Sequence, residues 1–181
     1  MTLRELLTGA LQQLDRNTDS QTVELWRDKL TQYLNDAMLD LTIDLQLRRT
    51  DELELSDGKL DTALLPRACV KVVALYREEK RLPFYYGVGT GVLYVPGVAD
   101  GPVAVAYRYL PPALQADTDV PELPEWSHSA LIAYVVGRER ASGDAMSIKA
   151  ASACFELYHA AKRNLRANVG EMDAYRLQNI Y

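Results

Sequence analysis

The spacing of apolar residues changes twice along this chain, and those two changes constrain the fold class more than any other feature. Leu3, Leu6, Leu7, Ala10, Leu11 and Leu14 fall at three- and four-residue steps, and so do Val23, Trp26, Leu30, Tyr33, Leu34, Ala37, Met38 and Leu41. Each set makes the stripe of an amphipathic helix. From Leu41 the step becomes two, with Leu41, Ile43, Leu45 and Leu47 alternating with Thr42, Asp44, Gln46 and Arg48. That is the spacing of a strand with one buried face. Helical spacing returns with Trp126, Ala130, Leu131, Tyr134, Val135 and Arg138, and again with Met146, Ile148, Ala151, Phe155, Tyr158, Ala161 and Leu165.

Local signals punctuate these runs. Thr2 with Glu5 matches a capping box, and residues 15–20 form a connector without an apolar residue. The second helix then covers about twenty residues, roughly 30 Å. Asp57-Gly58 marks a tight turn within a first hairpin region over residues 41–62, because glycine accepts positive φ without penalty. Cys69 to Tyr76, Val92 to Val95 and Val103 to Tyr109 are further strand candidates, for about five strands in all. Pro111, Pro112, Pro121 and Pro124 break both periods and make a linker. A third helix starts near Pro124 and stops at Gly143; Asp144 caps a fourth, which Gly170 ends. The expected fold is α+β and mainly α: a bundle of about four helices with an antiparallel β insertion between helices two and three. Residues 1–41 are the N-terminal helical hairpin, 42–115 the β insertion, 116–169 the helix pair completing the bundle, and 170–181 a tail.

Composition excludes several classes. The 181 residues, 48% hydrophobic and 25% charged, suit one folded core rather than disorder or a fibre. The formal charge of −5 argues against bulk nucleic-acid binding, which needs a basic surface. No apolar run approaches the roughly 18 residues of a spanning helix, and the first residues lack the apolar core of a signal peptide. A soluble chain made in a cytosol is expected. Cys69 and Cys154 show no metal or disulfide spacing and are expected as small core residues.

No catalytic constellation emerges. Gly87, Gly89 and Gly91 lack the third glycine and following helix of a dinucleotide fingerprint, so a β loop is expected. Glu122, Glu125 and His128 cluster near a helix start and have residue types suited to acid–base work; capping and packing explain them as well. Cys154 lies in an alanine-rich stripe without a nucleophile elbow. No cofactor or metal is expected. Tyrosine supplies 11 of the aromatic residues, and most fit half-buried strands. The tail's Tyr175, Leu177, Ile180 and Tyr181 lack a companion segment, which suggests ordering on a partner.

The stretch LPEWSHSALIAYVVGRERASGDAMSIKAASACFELYHAAKRNL carries Leu123-Pro124, His128, Leu131-Ile132, Tyr134, Arg138, Gly143-Asp144, Phe155 and Tyr158. It resembles the C-terminal helix pair of bacteriophage head-to-tail connector proteins, also called head completion or portal adaptor proteins. Upstream, LELSDGKLDTALLPRACVKVVALY resembles that family's β insertion, with Asp57-Gly58 followed by Leu65-Pro66 and a valine-rich strand. The resemblance implies a structural virion protein of the neck, assembled in the host cytoplasm, with no enzymatic role and no membrane. Copies, as a rule about twelve, form a ring on the portal and continue the DNA channel toward the tail. The implied partners are copies of itself, the portal protein, a downstream tail or head-closure protein, and DNA in passage only. Tyr175, Leu177, Ile180 and Tyr181 become candidate portal contacts. Alternatives are another head-closure or tail-completion protein, or a small soluble hydrolase using Glu122, Glu125 and His128.

Overall fold

Helix α1 (Leu3–Gln13) begins where the capping box places it: Glu5 N donates to Thr2 Oγ1 at 3.3 Å and Thr2 N donates to Glu5 Oε2 at 2.9 Å. The computed structural model describes residues 1–87, 91–143 and 145–177, with side chains up to residue 164. It divides into a helical unit, Met1–Leu45 with Pro112–Tyr181, and a β unit, Gln46–Pro111.

In the helical unit α1 buries Leu3, Leu6, Leu7, Ala10 and Leu11. Helix α2 (Ser20–Leu45) starts on Asp19, which accepts from the N–H and hydroxyl of Thr22 at 3.0 and 2.8 Å. The strand spacing read from Leu41 is helix instead. Leu41 and Leu45 are four apart and satisfy both periods, so the residues between them decide. Thr42 is buried and donates to Met38 O at 2.7 Å, whereas Ile43 is 67% exposed. The helix stops at Gln46, which takes positive φ.

Helix α3 (His128–Arg140) follows a 3-10 turn at Glu125–Ser127, and that turn leaves Trp126 exposed rather than in the apolar stripe. Its Leu131, Val135 and Val136 are buried, and it packs on α1, α2 and α4. Gly9 on α1 permits close approach, since a Cβ there would sit 3.0 Å from Ile132 Cδ1. Helix α4 (Ala145–Leu177) spans 33 residues, about 50 Å. Its apolar contact starts later than expected: Met146 and Ile148 are exposed, while Ala151 and Tyr158 are buried. Tyr134 packs between Phe155 and Tyr158, with ring centroids 6.0 and 5.0 Å away. Gly170 does not end the helix, which continues to Leu177. The capping role expected of Asp144 lies outside the described residues.

The linker has no regular element between Tyr109 and Glu125 and is tied down at several points. Asn35 donates to Leu114 O and accepts from Leu114 N, and Arg27 bonds Asp117 and Gln115 O. Its carbonyls at Asp117 and Asp119 accept from Arg4 N and Leu3 N, satisfying two first-turn donors of α1.

Among the described residues the β unit holds seven strands in two antiparallel sheets. β1 (Arg48–Leu55), β3 (Cys69–Arg77), β4 (Lys80–Leu82) and β7 (Gly101–Tyr109) form one in the order β1-β7-β3-β4; β2 (Lys59–Asp61), β5 (Tyr85–Tyr86) and β6 (Val92–Tyr94) form the other in the order β2-β6-β5. The Asp57-Gly58 turn forms, with both residues at positive φ and Ser56 and Lys59 exchanging backbone bonds. The expected hairpin goes no further, because β1 pairs along its length with β7 and β2 with β6. Leu55, Leu60, Val72, Leu75, Leu93, Val103, Val105 and Tyr107 make the core between the sheets. Cys69 and Cys154 are free and only half buried, short of the core positions expected.

Candidate interaction surfaces

His128, the residue on which acid–base chemistry would turn, is 1% exposed. Its Nδ1 lies 3.0 Å from the Met1 amino group. Burial, reinforced by that charge, holds the imidazole pKa below its ordinary value, so the ring is neutral at neutral pH. Glu125 is exposed in the 3-10 turn and Glu122 half buried. Three clefts open elsewhere: between the ends of α1 and α3 and the start of α4, on the outer face of the four-stranded sheet, and beside the small sheet. None includes Glu122, Glu125 or His128. Among the described residues no group of three or more His, Cys, Asp or Glu is placed to hold a metal.

Charged clusters stiffen the helical unit. Lys162 on α4 pairs with Asp40 at 2.6 Å and Asp44 at 3.0 Å on α2, and Tyr158 donates to Asp40 at 2.5 Å. Burial opposes ionisation of Asp40, but the Lys162 and Tyr158 hydrogen bonds outweigh it and hold the carboxyl below the usual carboxylate range. At the C-terminal end of α3, Glu139 receives Lys29 at 2.6 Å and Arg16 at 3.7 Å, and Arg16 stacks 3.9 Å from the centre of the Trp26 ring. These contacts fasten helices together, and fastening explains them without a reaction.

Exposed apolar groups mark the surfaces. Tyr85 and Tyr94 stand opposite each other on β5 and β6, 65% and 45% exposed, beside a cleft of about 620 Å³ that Pro96 and Val98 also line. Gly87 lets the Tyr94 ring approach the backbone closely, since a Cβ there would meet Tyr94 Cε2 at 2.7 Å. Met146, Ile148 and Leu157 are exposed along α4. Sequence reasoning placed the tyrosines in strand packing and the first two α4 residues in the core; the flanking glycines of YYGVGTGVLY were the signal that the rings lie at a surface. Of the tail candidates, Tyr175 and Leu177 belong to the final turn of α4, and Ile180 and Tyr181 lie outside the described residues.

The charge divides unevenly. Residues 46–111 hold nine Lys and Arg against eight Asp and Glu, so the acidic excess belongs to the helical unit rather than to the β region. No helix among the described residues is long and apolar enough to cross a membrane. A family model described as SU10 adaptor protein matches residues 1–178, and so takes in both units. Comparison with curated proteins finds no match.

Proposed function

The chain belongs to the SU10 adaptor protein family, phage structural proteins of the virion, and from that premise we propose that it is the head-to-tail connector of its particle. In this reading copies of the chain, about twelve, form a ring on the portal, continue the DNA channel, and meet a tail or head-closure protein below. The observation that carries the reading is the extent of the family match, residues 1–178, which takes in both the helical and the β unit.

The physical features agree in kind. Ion pairs that tie α4 to α2, and the C-terminal end of α3 to α2 and the α1–α2 connector, give a stiff wall element. The acidic excess of the helical unit suits a passage along which a phosphate polymer must not stick. A long α4 ending in Tyr175 and Leu177, with Ile180 and Tyr181 beyond, supplies apolar and aromatic anchors for the portal.

Negative-stain imaging of the purified chain mixed with the portal ring of the same phage tests the proposal. Coaxial density stacked on the portal is the expected result. A bare portal across the concentration range overturns the portal role and leaves the other closure and tail-completion roles.

A further inference from the structure

Among the described residues the four-stranded sheet ends on both sides in an open edge. Its order leaves β1 and β4 each paired on one side only among the described residues. On β1, Arg48 and Arg49 are exposed, and from Thr50 on the exposed Thr50, Glu52 and Glu54 alternate with Asp51, Leu53 and Leu55, which are half or fully buried. On β4, Lys80 and Arg81 are exposed and Leu82 is half buried.

The register joins the two edges in one outward row. Glu52 stands opposite Ala104, Ala104 opposite Tyr76, and Tyr76 opposite Arg81. The row therefore opens on a carboxylate and closes on a guanidinium. Among the described residues Arg81 makes a long contact of 3.5 Å to Val73 O. Charge on an edge strand normally keeps other strands away. Here the two edges carry opposite charge in the same row, so a second copy brought alongside meets attraction rather than repulsion.

Strand direction permits the join. All three junctions of the sheet are antiparallel, so β4 runs opposite to β1. A copy displaced along the hydrogen-bonding direction presents its β1 antiparallel to β4, and the ladder continues without a change of type.

We propose that β4 of one copy pairs with β1 of the next, so that the sheet continues from subunit to subunit. With the neighbouring copy staggered by two residues along the strand, Arg81 stands opposite its Glu54 and diagonal to its Glu52. This register also sets Leu82 against the neighbour's Leu53, and both leucines pack on the apolar core of their own unit. Each copy uses two different edges, which makes the contact heterologous; such contacts close into rings when the rotation permits. β4 is three residues long and Pro83, lacking an N–H, follows it. The joint is short and its association weak. The inference deepens the ring reading above and rests on it for closure alone.

Sedimentation velocity of the full chain without portal, at low salt and rising concentration, tests it. Wild type is expected to associate, and added salt to weaken the association. Arg81→Glu, and separately Glu52→Lys with Glu54→Lys, are each expected to weaken it by about ten-fold or more. An equimolar mixture of the two variants restores association, because every acidic edge then meets a basic one. Arg81→Gln replaces the reversal if circular dichroism shows that the reversal unfolds the chain. A wild type still monomeric at about 1 mM overturns the proposal. So does an Arg81 variant that associates like wild type, or a mixture that does not recover. Because the readout is self-association, failure here leaves portal docking standing, and a bare portal leaves this result untouched.

Discussion

The Tyr158 hydroxyl donates to Asp40 at 2.5 Å although 118 residues separate them in sequence. The bond joins α4 to α2 across the returning chain, and Lys162 one turn on doubles it. Tyr158→Phe removes one hydrogen bond to a charged acceptor that keeps Lys162 and is partly solvated, so the expected loss is about 1–2 kcal/mol. Lys162→Met strands two carboxylates near each other and is expected to cost more, about 3 kcal/mol. Urea unfolding read as a shifted midpoint at constant slope checks both; equal losses would show that stranding the two carboxylates costs no more than losing the tyrosine bond.

The same cluster sets the acid limit of stability. The folded pKa of Asp40 is depressed, so its contribution is complete above the unfolded value of about 3.9 and is lost as pH falls through the folded value. Lys162 is shifted the other way: burial opposes its charge, but the hydrogen bonds to Asp40 and Asp44 raise its pKa. Its contribution is complete below about pH 10.4 and is lost above. Asp40→Asn is expected to flatten the decline of unfolding free energy below about pH 4. An unchanged slope in that window would place the acid sensitivity on other carboxylates.

Much of this architecture was legible because spacing and burial coincide. Thr2 and Glu5 announced the start of α1, and Val103 to Tyr109 announced β7, where one residue in two points to the core. Where two periods share residues, the sequence could not choose: Leu41 and Leu45 fit helix and strand alike, and the burial of Thr42 through its bond to Met38 O decides for helix. β4 escaped notice because Glu78-Glu79, both at positive φ, make its turn without the Asn or Gly that normally signals one. The edge-to-edge row of Glu52 and Arg81 was invisible for another reason. It depends on β1 choosing β7, which lies some fifty residues away, over the neighbour across the Asp57-Gly58 turn.

Tyr107 gives the β unit an alkaline signature. Its hydroxyl donates to Asp51 at 2.7 Å; burial first, then that bond, push its pKa up to about 12. The raised value means that stability is complete below the ordinary tyrosine range of about 10 and falls as pH climbs to about 12. Tyr107→Phe is expected to remove the part of the alkaline decline that lies between those values. Titration of tyrosinate absorbance should show one fewer late-titrating group in the variant. If the variant's decline matches wild type, the Asp51 bond is not what holds the proton.

Gly137 controls how closely α3 and α4 meet. A Cβ there would lie 3.1 to 3.3 Å from three ring atoms of Phe155. Gly137→Leu forces that ring and its neighbour Tyr134 to move, an overpacking expected to cost about 1–3 kcal/mol. Pairing the change with Phe155→Ala provides the check, because removing the ring frees the space and should recover part of the loss. Additive losses in the double variant would mean that the leucine strains something other than Phe155.

The tail is the sharpest test of the portal role. Among the described side chains, those that fasten α4 to the other helices lie at Ala151, Phe155, Tyr158 and Lys162. Deleting residues 171–181 removes Tyr175, Leu177, Ile180 and Tyr181 and is expected to leave helical content and unfolding midpoint close to wild type. Portal binding, measured by co-sedimentation with the ring, is expected to fall below detection, since aromatic anchors carry a disproportionate share of such interfaces. Wild-type binding by the shortened chain would move the contact to the exposed Met146, Ile148 and Leu157 of α4 or to Tyr85 and Tyr94 of the small sheet. Alanine at each set in turn would then say which.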